Sequence, residues 1–256
     1  MADLEFLTIE KDDQVARITL NRPKHNVLNI PMMNELNGEL AAIAADASLK
    51  CVVITGDGRS FCAGVEVSDH APCNVEEMVA VFNRIFELIN MIDIPIIAAV
   101  NGACLGGGME VAIACDIVIA SQRAIFGQPE IKLGFFPPYA ALRLPELVGP
   151  AKAIEILTTG KNYTAKEARK LGFVSQVASD EEFSEVVEKN IKEICYASPL
   201  IIRLNKRAVK RHIGTNFFQG VDLVSNYFLN TLMKTEDTLE GIASFEEKRK
   251  PVWKNK

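Results

Sequence analysis

The 256-residue chain sets 28 Lys+Arg against 33 Asp+Glu and is 48% hydrophobic and 24% charged. That length buries a substantial core, while the acidic balance argues against nucleic acid held by bulk charge. The N-terminal "MADLEFLTIEKDD" has no signal-peptide apolar core and no apolar run reaches membrane-spanning length, so a cytoplasmic protein without a membrane partner is expected.

In chain order, "VARITL" from Val15 alternates like a strand and stops at the turn-forming "NRPKHN". Residues 31–45 have helical spacing, with Met32, Leu36, Leu40 and Ile43 on one stripe. "CVVITG" from Cys51 reads as a buried strand closed by Gly56 and Gly58, 75–91 as a helix, and "IPIIAAV" from Ile94 and "DIVIAS" from Asp116 as two further buried strands. Strands alternating with helices predict an α/β fold of layered sheets and helices. Beyond Pro137 the pattern turns helical over 151–159, 164–171, 180–197, 199–212 and 216–247, a C-terminal third without strands of its own. We read this part as a packing or assembly region, because Phe217, Val221, Val224 and Phe228 form an apolar stripe too large to leave exposed on a monomer.

Cys51, Cys62, Cys73, Cys104, Cys115 and Cys195 form no C-x-x-C pair and read as reduced, mostly buried thiols. His25, His70 and His212 are too widely spaced to suggest a metal site.

Chemistry is concentrated in "NGACLGGGMEVAIACD", which places three glycines ahead of a carboxylate, Glu110, in an apolar run. The dinucleotide pattern G-x-G-x-x-G fails at Val111, and neither a phosphate-binding P-loop nor a G-x-S-x-G elbow occurs. What remains is a strand, a tight turn and a helix starting near Gly107, whose first N–H groups lack intrahelical partners. Such donors can hold a carbonyl oxygen as it becomes an enolate. On this stretch alone Glu110 reads equally well as a complement to the helix dipole or as a catalytic group. A second glycine turn, "GDGRSFCAGVEVSD", offers Ala63-Gly64-Val65 as another close-approach backbone, and "FGQPEIKLGFFP" brings a second carboxylate, Glu130.

With these residues in view, the sequence resembles the crotonase (enoyl-CoA hydratase/isomerase) superfamily almost end to end. The segments are "LNRPKHNVL", "VVITGDGRSFCAGVEV", "IPIIAAVNGACLGGGMEVAIACDIVIAS", "AIFGQPEIKLGFFP", "LTTGKNYTAKEARKLGFVSQV" and "EGIASFEEKRKP". The resemblance implies a spiral of repeated ββα units over 1–197 and a helical region over 198–256 for trimerisation and for covering coenzyme A. It also implies trimers or hexamers and acyl-CoA substrates, with no separate cofactor because coenzyme A is part of the substrate. By position, Val65 and Gly107 correspond to the two oxyanion-hole N–H donors. Glu110 and Glu130 correspond to the catalytic glutamates of hydratases. Ala63 corresponds to an acyl-pocket residue, and Lys24, Phe245 and Lys248 to segments that meet coenzyme A.

Retention of both glutamates points to hydration, with Glu110 as base and Glu130 as acid the leading order and the reverse left open. A double-bond isomerase or a straight-chain enoyl-CoA hydratase is the alternative. Two departures bear on specificity: Val65 stands where alanine is common, and Pro137-Pro138-Tyr139-Ala140-Ala141 replaces a glycine-rich run. In "GQPEIKLGFFPPYAALRLP" the chain is most similar to the alicyclic dienoyl-CoA hydratases. Tyr139 is therefore expected to form an aromatic wall of the acyl pocket.

Overall fold

The computed structural model describes residues 4–12, 14–197, 199–210, 217–230 and 232–252. His212 and Asn216 lie outside the described residues, as does the side chain of Val224.

The larger of two sheets is ordered β1 (Leu7–Lys11), β2 (Val15–Leu20), β3 (Cys51–Gly56), β5 (Ile96–Val100), β7 (Ile117–Ser121), β10 (Gln176–Ala178). Its β1–β2 edge is antiparallel and the remaining pairs are parallel. The smaller sheet runs β4 (Ser60–Cys62), β6 (Ala103–Leu105), β8 (Ile125–Gly127), β9 (Asn162–Thr164), antiparallel only between β8 and β9.

Three consecutive passes place one strand in each sheet and then a helix. They are β3–β4–α2 (Val75–Met91), β5–β6–α3 (Gly107–Ala114) and β7–β8–α4 (Pro138–Val148). This is a ββα spiral, in the α/β class. The expected strand-free C-terminal third is overturned, because β9 extends the small sheet from β8 and β10 extends the large one from β7. Each is only three residues long, too short to show a period of two in the sequence.

The continuous apolar run of β3 follows from its position between β2 and β5, with helices on both faces of the sheet. On one face lies the main core, which includes α1 (Ile30–Ala45), α2 and α3. On the other, Val53, Ile97 and Ile119 pack with Val187 and Ile191 of α7 (Phe183–Cys195). Helix α1 starts where Asn29 Oδ1 accepts the Met32 N–H at 3.1 Å, with proline in the first turn. α5 (Pro150–Thr159) and α6 (Ala165–Leu171) follow α4 in the chain, α6 entered through a Thr164–Glu167 capping box.

The last helices are α8 (Pro199–Lys210), α9 (Phe217–Asn230) and α10 (Glu236–Glu246). The helical pattern over 216–247 is thus divided, with a short turn at Leu232–Lys234 and a new start capped by Thr235. Lys206 ties α8 to the core, donating to the Ile94 carbonyl at 2.8 Å and pairing with Asp116. The apolar stripe of α9 turns inward: Val221 and Phe228 are buried, and Phe228 packs on Phe135 and Phe136. These two side chains therefore supply their own chain's core. Exposed apolar side chains among the described residues of this region are Leu204, Val209, Phe218, Leu239, Phe245 and Val252.

Candidate active site

The two glycine turns meet where β4 and β6 lie side by side. After β4, Leu28 pairs with the Gly64–Glu66 segment: the Leu28 N–H donates to the Gly64 carbonyl at 2.9 Å, and the Glu66 N–H to the Leu28 carbonyl at 2.7 Å. Alternation along the backbone then aims the intervening Val65 N–H away from Leu28. A Cβ built on Gly107, the first residue of α3, would sit 3.5 Å from that Val65 nitrogen. The backbones of the two loops therefore lie close together, the second at a helix start where the backbone dipole favours negative charge.

Each glycine of the triplet has its own reason. Gly106 adopts φ 52°, and a Cβ there would lie 2.6 Å from Glu130 Oε1. At Gly107 a Cβ would fall 2.5 Å from Val65 Cγ2, so the valine at 65 itself demands glycine at 107. At Gly108 it would strike the Cys62 carbonyl at 2.2 Å, where α3 crosses β4.

All eight residues of α3 are buried, which carries Glu110 into the interior at 2% exposure. Its Oε1 accepts the Ala140 N–H at 2.8 Å. Pro137 and Pro138 have no N–H, so the first donors at the start of α4 are Tyr139 and Ala140, and both act on this carboxylate. Burial pushes the Glu110 pKa up to about 7, with those two N–H groups opposing the rise.

Glu130 sits in a single-turn helix over Pro129–Leu133, held at its end by Gly134 in the left-handed region. Its carboxyl is held well above the usual carboxylate range, first by desolvation and then by the charge of Glu110. The fully buried Gln128, with its amide nitrogen turned toward Glu130, donates to the two carboxylate oxygens at 3.0 and 3.1 Å. The sequence reading passed over Gln128, although its place two residues before Glu130 was the available signal.

A cavity of about 670 Å³ unites these groups and is lined by Lys24, Ala63, Val65, Gly107, Glu110, Glu130 and Phe245 among others. Its lining is both polar, with Lys24 and the Arg22–Glu66 ion pair, and aromatic, with Phe82, Phe135, Phe136 and Phe228. Two of the expected substrate-binding residues lie outside this lining. Tyr139 does not line the cavity: α4 begins at Pro138 and turns residue 139 inward, where its ring stacks on Phe86 at 3.8 Å. Lys248 does not line it either: α10 ends at Glu246 and the chain turns through Lys248 at φ 52°, leaving that side chain exposed. The sequence reading missed the aromatic side chains that do line it, together with His70, because they arrive from four separate elements.

Among the described residues no group of three or more His, Cys, Asp or Glu is placed to hold a metal ion, and no helix is long and apolar enough to cross a membrane.

Comparison with known proteins agrees with this geometry. The family described as enoyl-CoA hydratase/isomerase matches residues 10–256. A probable mitochondrial enoyl-CoA hydratase of Dictyostelium discoideum is 38% identical, over 97% of this chain and 91% of its own. A cyclohexa-1,5-dienecarbonyl-CoA hydratase of Thauera aromatica is 31% identical, over 97% and 96%. The crystal structure of an enoyl-CoA hydratase from Mycobacterium avium subsp. paratuberculosis K-10 superposes with a TM-score of 0.87 at 26% identity, covering 98% of this chain and 100% of that one. The chain belongs to the enoyl-CoA hydratase/isomerase family and is an enzyme of the hydratase type.

Proposed function

We propose that this cavity adds water across a conjugated double bond of an acyl-CoA thioester, with Glu110 as base and Glu130 as acid. The observation that carries the reading is two glutamates with raised pKa values sharing one cavity with the Val65 and Gly107 N–H groups. Glu110 takes a proton from water, and the hydroxide bonds to the carbon β to the carbonyl. The electron pair moves onto the thioester oxygen, where the two N–H groups hold it. The enolate then collapses and takes a proton from Glu130. The two N–H partners that favour the Glu110 carboxylate support it as base, and the desolvation and neighbouring charge that favour the protonated form of Glu130 support it as acid. Hydration is separated from double-bond isomerisation by turnover in oxygen-18 water, where label in the product supports hydration and a label-free shifted alkene supports isomerisation.

For the acyl group we propose a flat conjugated ring, cyclohexa-1,5-diene-1-carbonyl-CoA, hydrated to 6-hydroxycyclohex-1-ene-1-carbonyl-CoA. In such a ring the enolate extends through the second double bond and is protonated at its far carbon, with the charge still reaching the thioester oxygen. Support comes from Phe82, Phe135 and Phe136 with the stiff Pro137–Pro138 segment, which favour a planar group over a flexible chain that loses more freedom on ordering. The name of the Thauera aromatica relative supports it too. The test compares kcat/KM for crotonyl-CoA and the ring diene; faster turnover of crotonyl-CoA replaces the ring reading with a straight-chain hydratase.

We further propose a trimer-based assembly in which residues 198–256 both pack subunits and cover coenzyme A, with Lys24 and Phe245 meeting that moiety. Exposed Leu204, Val209 and Phe218 support this. A mass measurement giving a stable, active monomer in dilute solution rejects it.

A further inference from the structure

His70 is a cavity-lining group that the proposed mechanism leaves unused. It ends the short helical turn Val67–His70, which directly follows the Val65–Glu66 segment. Its Nδ1 lies 3.0 Å from the Glu66 carbonyl oxygen, which can only accept, so Nδ1 carries the proton and donates. That bond fixes the neutral tautomer and leaves a lone pair on Nε2. Nε2 makes no hydrogen bond with the described residues, and the imidazole as a whole is half-buried at the cavity wall. The imidazole rests against Phe135, ring centroids 4.9 Å apart, and Phe135 in turn faces Phe228. The ring thus lies between the aromatic side chains and the Glu66 segment, whose carboxylate pairs with Arg22. Burial lowers the His70 pKa, in keeping with a neutral ring.

An acyl group that is hydrocarbon throughout, such as the unsubstituted ring diene, leaves this acceptor without a partner. An apolar acyl group pressed against Nε2 strips its water and gives nothing back, whereas a hydroxyl replaces the lost bond. Sites with an unpaired buried polar group discriminate against ligands that cannot satisfy it.

We propose that His70 is a specificity-determining residue whose Nε2 accepts a hydrogen bond from a hydroxyl on the acyl group, so that hydroxylated enoyl or dienoyl thioesters are preferred over their plain counterparts. This rests on the reading that the aromatic lining of the cavity receives the acyl group. Its neighbour Glu66 is already committed to Arg22, and Asp69 accepts the Ile30 N–H at 3.0 Å, so neither competes for the hydroxyl.

The experiment uses the full chain with hex-2-enoyl-CoA and its 4-, 5- and 6-hydroxy derivatives, read as kcat/KM ratios. Dissociation constants for hexanoyl-CoA and the matching saturated hydroxyhexanoyl-CoAs give the same ratio without turnover. At least one hydroxyl position is expected to improve both ratios about tenfold, the value of one hydrogen bond. His70→Phe keeps a ring against Phe135 but has no nitrogen, and should bring the ratios to about one. His70→Gln, whose amide oxygen takes the place of Nε2, should restore part of the preference, whereas His70→Asn, which mimics only Nδ1, should not. A wild-type protein indifferent to every hydroxyl position overturns the proposal, as does a preference that survives in His70→Phe. Failure to hydrate any thioester refutes the hydratase reading instead, and the binding ratio still decides the role of His70.

Discussion

Glu110 stands on α3, a helix buried on every side, while Glu130 stands in a single turn of which no residue is fully buried. The first carboxylate is gripped by N–H groups at the start of α4, thirty residues further along the chain. The second is gripped by Gln128, two residues away, and rests on a bare Gly106. Both pKa values are raised by burial, yet backbone donors moderate that of Glu110 and the neighbouring charge raises that of Glu130 further. Similar side chains thus sit in different surroundings, the kind of contrast by which a site sets two carboxyl groups to different tasks.

The strongest way to break this contrast is to neutralise each group. Glu110→Gln and Glu130→Gln are each expected to lower kcat for hydration by about 10²–10⁴ while leaving acyl-CoA binding within a few-fold. A variant that hydrates at the wild-type rate removes that residue from the mechanism. Next in size is Gly107→Ala, whose Cβ would meet Val65 Cγ2 and crowd the space between the two N–H groups. A fall of about 10²–10³ in kcat is expected, as for loss of an oxyanion donor. Combining it with Val65→Ala should recover part of the loss; no recovery means that the clash is not the cause.

Stability gives a third, opposite effect. In the folded chain Glu110 binds its proton more tightly than an ordinary glutamate, so its cost is absent well below pH 4.5 and complete once pH exceeds about 7. Stability therefore falls as pH rises through that window. Glu110→Gln should be more stable than wild type by about 1–3 kcal/mol at pH 8, and no more stable at pH 4. Denaturant titrations at both pH values decide it, and equal differences at both would contradict the buried-carboxylate account.

The smallest effect isolates Gln128. Gln128→Leu removes two donors that favour the Glu130 carboxylate, so the Glu130 pKa should climb further. The alkaline limb of the kcat profile should move up by about one pH unit, with roughly a tenfold loss in kcat/KM. An unmoved limb would assign that ionisation elsewhere.

Much of this arrangement was legible beforehand. Runs such as "CVVITG" and "IPIIAAV" announced buried strands because burial on both faces needs continuous apolar sequence. The glycine triplet ahead of Glu110 marked a strand-to-helix turn with a close-approach backbone, and both glutamates were identifiable from the resemblance together with that local chemistry. The small sheet was not legible, since three-residue strands such as β6 and β8 carry no measurable period and form only by lying beside one another.

Direction was the other gap. Tyr139, Val221 and Phe228 have side chains suited to a pocket wall or a subunit contact, and local pattern does not distinguish these uses. Phe86 draws Tyr139 inward, and Phe135 and Phe136 receive Phe228, each partner coming from a distant part of the chain. The same holds for the donors on Glu110, which exist only because two prolines start α4 beside α3. Sequence alone determined which residues could be buried, where the backbone must be bare, and which side chains could exchange a proton. Tertiary structure decided which of them face the cavity and how tightly each glutamate holds its proton, because burial and hydrogen-bond partners are supplied by segments remote in sequence.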